Sequence, residues 1–449
     1  MRKKQLFLPL VFAFAIFHSC SDDRDEYISV EESPNVILQA RIEGLYGSMS
    51  YLILPNSRDY EKIPSDPRNP LSDSKVILGQ LLFHDTGLGT KAVRSEGSQT
   101  YSCASCHHVK GGFQSGLKQG IGEGGIGFGS MGESRLPSTD YMDSEMDVQP
   151  IRTPSVLNTA YQELMLWNGQ FGATGMNEGT EASWTSGTPK EVNFLGFQGL
   201  EIQAIAGMGV HRLHCDPEML AEIPYYKDLF DQAFPEVDPS VRYTDTIAGQ
   251  AIAAYERTVL SNQAPFQQWL RGDLGAMSDD QLQGAILFFG KAECYQCHSG
   301  PAMSSMSFHA LGMSDFVQGE VIGMVDEATK KGRGGFTGEA SDMYAFKTPT
   351  LYNLKNLSFL GHGGSFSTLE EIIRYKNRAI SENPEVPENR LSPLFYPLGL
   401  SEMEIRQLTA FVEEALYDPN LDRYVPDVLP SGNCFPVADP LSKQQLGCD

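Results

Sequence analysis

The sequence is short of positive charge. Its 449 residues carry 34 Lys and Arg against 57 Asp and Glu, a formal net charge of −23. That field repels phosphate-rich partners, so nucleic-acid binding is excluded as a function class. Long apolar runs are equally scarce: beyond the N-terminus none reaches the roughly 18 residues of a membrane span. Sustained strand-type alternation is missing too, which leaves a mainly α fold with long loops. Whole-chain disorder is excluded by what is present, 41% hydrophobic and only 20% charged residues. The length allows two or three domains.

The N-terminus predicts export. Arg2, Lys3 and Lys4 precede an apolar run from Leu6 to Phe17, the layout of a secretory signal over residues 1–19. Cys20 follows Ser19 and precedes SDDRDE, and this resembles a bacterial lipoprotein signal in which Cys20 becomes the lipidated first residue. The expectation is a protein in the periplasm or at the cell surface, touching membrane only through a lipid anchor at Cys20. Residues 20–69 then read as an anchor or linker.

The other seven cysteines sort by context. Cys434 and Cys448 lie in a Pro- and Gly-containing tail (421–449) and are expected to pair in an oxidising compartment. Cys215 is left over, a small buried hydrophobe. Cys103 and Cys106 sit in CASCH, and Cys294 and Cys297 in CYQCH. Covalent c-type haem attachment needs this pattern: two thiols one turn apart for the two vinyl groups, then a His whose imidazole reaches the iron. His107 and His298 are therefore the proximal ligands, and the chain is expected to hold two haem c groups. A zinc ribbon does not need His after both pairs, and neither it nor a redox dithiol explains motifs almost 190 residues apart.

Helical signals surround both motifs. Val76, Ile77, Leu81 and Leu82 keep a helical period before the first. Ser278 with Gln281, and Ser401 with Glu404, make capping boxes ahead of helices carrying Leu282, Ile286 and Phe289, and Ile405, Leu408, Val412 and Leu416. GIGEGG, in the Gly-rich stretch 110–132, matches a nucleotide fingerprint on paper but follows no strand, so it is read as loop.

Over about residues 70–415 the chain resembles the bacterial di-haem cytochrome c peroxidases and MauG-type enzymes. LGQLLFHDTGL, SCASCHHVKGGF, RTPSVLNTAY, LMLWNGQ, LEIQA, AIAAYERTVL, CYQCHSG, FKTPTLYNL and HGGSFSTLEEII occur in the family order. The resemblance implies two cytochrome c-like haem domains, taken as 70–272 (peroxidatic) and 273–420 (electron transfer). It implies that Trp167 relays electrons between the haems and that Gln203 belongs to the peroxidatic site. The family's acid–base Glu has no in-register match, because the aligned position is Leu213; His211 or Glu218 is expected instead, with His214 close by. No His occurs between His108 and His211, so the first haem is expected to be open or weakly capped by Met142 or Met146, and His108 to be structural. The family's distal position on the second haem falls on Lys376, with Tyr375 one residue earlier.

Arg333 fits a family element near haem propionates. A Ca²⁺ between domains is allowed for, although the aligned Asn ligand is Arg152 here and only carbonyls around Leu357 and Phe359 remain. The implied function is reduction of hydrogen peroxide to water with electrons from a small donor, a cytochrome or cupredoxin; a homodimer is allowed. The alternatives are a MauG-type oxidase acting on a protein or small molecule, and a pure electron carrier.

Overall fold

The structure, a computed structural model, describes residues 33–448 apart from residue 216. The signal segment and Cys20 lie outside the described residues. In chain order the helices are α1 (Pro34–Tyr46), α2 (Asp73–His84), α3 (Gly199–Val210), α4 (Pro217–Glu222), α5 (Pro224–Ala233), α6 (Asp245–Thr258), α7 (Pro265–Leu270), α8 (Asp279–Phe288), α9 (Glu327–Lys330), α10 (Arg333–Thr337), α11 (Leu369–Arg378), α12 (Glu402–Ala410) and α13 (Pro440–Leu446). Strand is confined, among the described residues, to two short antiparallel pairs: β1 (Gly125–Ile126) with β2 (Leu136–Pro137), and β3 (Phe308–His309) with β4 (Phe346–Lys347). The fold is mainly α, and no helix among the described residues is long and apolar enough to cross a membrane.

The caps fall where the side chains dictate. The Ser278 and Ser401 hydroxyls accept from the N–H groups of Gln281 and Glu404, and those side chains return to the cap N–H groups. Thr368 and Glu371 do the same for α11. On α2 the buried face is Leu78, Leu81, Leu82 and Phe83, whereas Ile77 faces solvent.

Two hydrophobic cores result. The first joins α2, α3, α5 and α6 and takes in Leu421, Tyr424 and Leu429 from the C-terminal segment. The second joins α1, α7, α8, α11 and α12. The core divide differs from the expected boundaries. Leu38 and Ile42 of the supposed linker, and Leu260, Phe266 and Trp269 of the supposed first half, pack in the second core. Glycine allows the closest helix approaches: a Cβ on Gly79 would stand 1.9 Å from Ala251 O, and one on Gly284 2.0 Å from Gln407 O.

Cys434 and Cys448 form the expected disulfide. The tail they close straps the first CxxCH. The Ser102 and Ser105 hydroxyls donate to Pro436 O at 2.9 and 3.0 Å, Ala438 N–H donates to Thr100 O at 2.9 Å, and Asp439 pairs with buried Arg135 at 3.2 Å. Replacing both cysteines with Ser is expected to cost about 3 kcal/mol, the chain-entropy figure for a loop of this size. Chemical denaturation with and without the bond checks this, and an unchanged midpoint would refute it.

Candidate functional site

Both CxxCH segments fold as the same turn. His107 N–H donates to Cys103 O at 3.0 Å, and His298 N–H donates to Cys294 O at 2.9 Å. Each imidazole Nδ1 faces carbonyl oxygen: Phe113 O at 3.2 Å for His107, and Met303 O and Pro349 O at 3.1 Å for His298. A carbonyl only accepts, so Nδ1 carries the proton and Nε2 keeps its lone pair for a metal. Burial pushes both imidazoles down to about 4, which keeps them neutral. Burial also pushes the Cys106 and Cys294 thiols up to about 12, and Cys103 and Cys297 upward as well. A redox dithiol needs depressed values, so that rival reading fails. Free thiols in pairs, a tautomer-fixed His beside each pair, and a cavity against Cys297 and His298 fit two haem c groups.

Near the first motif, α3 carries Gln203, and His211 caps its C-terminus. Gln203 Oε1 is buried with no hydrogen-bond partner. His211 Nδ1 lies 2.9–3.0 Å from both oxygens of buried Asp147, a residue the sequence reading missed. Burial lowers the His211 value, but the Asp147 charge and hydrogen bond outweigh it and hold the imidazole above its usual 6.5. His211 is near enough to His107 to help depress that imidazole.

The Gly-rich loop builds the Asp147 seat. Gly122 N–H donates to Asp147 O at 2.9 Å, and a Cβ on Gly122 would come 2.2 Å from Asp147 Oδ2. Next to it, fully buried Glu123 pairs with Arg212, the neighbour of His211. GIGEGG is thus a support for the His211 side chain.

The remaining first-site candidates fall elsewhere. His214 is tied to Asp245 at 3.1 Å, at the start of α6. Glu218 lies exposed on α4. His108 packs edge-on against Phe128 and is pushed down to about 3 by burial. Met142 is exposed, and Met146 is buried beside Gly124.

At the second motif, Lys376 lines the cavity that also takes in Cys297, His298, Trp167 and His362. Burial pushes its amine down to about 8. Neighbouring helix residues point about 100° apart, and Tyr375 accordingly turns into the second core between Phe366 and Phe395, its hydroxyl donating to Leu311 O. Trp167 Nε1 donates to Arg152 O at 2.8 Å, and its ring stands edge-on to His362 at 6.2 Å.

Arg333 departs from expectation. Its guanidinium is spent on Gly169 O, Asn177 Oδ1 and Met176 O, so it staples the loop after Trp167 and does not line the cavity. Arg152 donates to Leu117 O and Ser115 O and approaches the Phe359 ring. The position expected to supply the Asn ligand thus presents a buried guanidinium, a cation that does not fit Ca²⁺.

Two tautomer-fixed CxxCH turns in a helical frame define a protein of the c-type cytochrome class with two attachment sites. Residues 73–275 match the family profile described as di-haem cytochrome c peroxidase. The methylamine utilization protein MauG of Methylorubrum extorquens is 29% identical over 362 residues, covering 80% of this chain and 83% of that one. The cytochrome-c peroxidase IdrP1 of Denitromonas iodatirespirans is 29% identical over 372 residues, covering 78% and 83%. A solved MauG-like protein associated with microbial copper homeostasis shares the fold, with a TM-score of 0.57, 23% identity and coverage of 86% of this chain and 98% of that one. Residues 73–275 thus match a di-haem cytochrome c peroxidase domain, and the chain as a whole is similar to both cytochrome c peroxidases and MauG proteins.

Proposed function

We propose that this protein is a di-haem c-type peroxidase that reduces hydrogen peroxide to water with electrons from a small periplasmic cytochrome or cupredoxin. We further propose that it works lipid-anchored through Cys20, facing the periplasm or the cell surface. The observation that carries this reading is the His211–Asp147 pair beside His107, with the unpartnered Gln203 oxygen on the same helix. Peroxide reduction consumes two protons and two electrons per molecule, so its site needs a proton carrier beside the bound peroxide.

Bound haem supplies the electron exchange with peroxide; the chain supplies the rest. Neutral His211 takes a proton from the incoming peroxide through Nε2 and returns it to the departing oxygen. Asp147 fixes the ring through Nδ1–H and stabilises its cationic form. The Gln203 amide holds the peroxide or its water product. Trp167, packed between His362 and the Arg152 backbone, lines the cavity at Cys297 and His298 and is the electron-relay candidate. Lys376, whose amine lines the cavity at Cys297 and His298, would hold the second haem through that neutral amine.

The test is turnover of holoprotein with peroxide and a reduced c-type cytochrome. Rapid oxidation of the cytochrome supports the peroxidase. Peroxide reaction without donor turnover favours the oxidase reading that the MauG relative suggests. An inert protein with both metals saturated is a carrier and would overturn the assignment.

A further inference from the structure

Two buried cations in the cavity at Cys297 and His298 have no carboxylate partner among the described residues. Lys347 is 6% exposed and Arg152 1% exposed, and both line the cavity that also takes in Cys297, His298, Trp167 and Lys376. The Lys347 ammonium donates to Gln162 Oε1 and to Leu164 O at 2.8 Å, both neutral acceptors, and the third of its three N–H donors finds no acceptor among the described residues. The Arg152 guanidinium donates to two carbonyls, and its Nε–H finds no acceptor among the described residues. Neither cation stands in any ion pair between described residues, whereas buried Arg135 and Arg257 pair with Asp439 and Glu201.

Burial alone pushes Lys347 down to about 7 and Arg152 to about 10, with no opposing charge to offset it. A buried charge is tolerable only when paired. That cavity is therefore short of two negative charges, and haem carries two propionates.

We propose that Lys347 and Arg152 form the propionate seat of the haem attached at Cys294 and Cys297, each acting as the fixed counter-cation of one carboxylate. The inference rests on the reading that haem is attached there, and it replaces Arg333, whose donors are used elsewhere. It also gives Arg152 a task beyond donating to two carbonyls. The same two residues tie this seat to the relay candidate: Lys347 N–H donates to Trp167 O at 2.7 Å, and Arg152 O accepts from Trp167 Nε1. Lys347 and Arg152 are positioning residues, because they act on the iron only through the propionates.

The experiment compares holoprotein carrying Lys347→Met or Arg152→Met with Lys347→Arg and Arg152→Lys. Ferric haem carries one more positive charge than ferrous, so a nearby cation favours reduction. Spectroelectrochemistry is expected to show the potential of this haem falling in both Met variants and staying near wild type in the charge-keeping ones. No shift in the Met variants, or an equal shift in all four, would overturn the proposal in favour of plain packing. If the Met variants do not fold, magnetic-dipole recoupling in solid-state NMR of wild type decides, with ¹³C-propionate haem and ¹⁵N-labelled Lys and Arg. Dipolar contact supports the seat, and its absence refutes it. Failure of the haem reading itself would appear differently, as fewer than two thioether haems per chain.

Discussion

His211→Ala slows the reaction of the holoprotein with hydrogen peroxide by about 10²- to 10⁴-fold, the usual worth of a positioned acid–base group. Both haems stay attached, because the substitution touches neither CxxCH turn. Stopped-flow absorbance against peroxide concentration measures it, and a wild-type rate in the variant would remove His211 from the mechanism. The pH profile carries the sign. His211 must be neutral to take a proton, so the rate rises with pH through its ionisation. Asp147 holds that ionisation above the ordinary imidazole value. Asp147→Asn leaves burial unopposed, and burial disfavours the cation, so the rising limb moves to lower pH. A limb that stays in place would show that Asp147 does not set the proton affinity.

The second large effect concerns Lys376. Burial brings its amine down to about 8 from a usual 10.5, which makes the neutral, metal-binding form accessible near neutral pH. Lys376→Ala is expected to convert the second haem from low-spin towards high-spin, seen by electron paramagnetic resonance. Lys376→Met is expected to raise that haem's potential, because a thioether favours the ferrous state relative to a nitrogen donor. Tyr375→Phe, which removes a hydroxyl already given to Leu311 O, is expected to leave both signals unchanged. Loss of the low-spin signal in Tyr375→Phe and its survival in Lys376→Ala would reverse the assignment.

Much of the frame was legible from short-range pattern. The cap residues at Ser278 and Ser401 declare their helices, because the bonds that make a capping box close within four residues. The boundary between halves was less legible. Trp269 and Phe266 precede the expected divide, yet both pack in the second core, where Phe266 meets Phe411, a contact that depends on the return of the chain. Of the acid–base candidates, His211, His214 and Glu218 stand within eight positions of one another, and sequence distance could not separate them. Asp147 could: it takes one imidazole, Asp245 takes another, and the carboxylate on α4 faces outward.

The sequence by itself determined the two CxxCH motifs, the histidine that follows each, the helical class and the resemblance to di-haem cytochrome c peroxidases. Each of these is written in spacings of a few residues, where covalent geometry leaves one reading. Only the tertiary structure decided that Asp147 partners His211, that Lys376 and not Tyr375 meets the cavity at the second motif, and that Arg333 is a staple while Lys347 and Arg152 are buried with no counter-ion among the described residues. Those facts depend on which side chains meet across 20 to more than 180 positions of chain, and on how burial removes water from a charge; neither quantity is local to any motif.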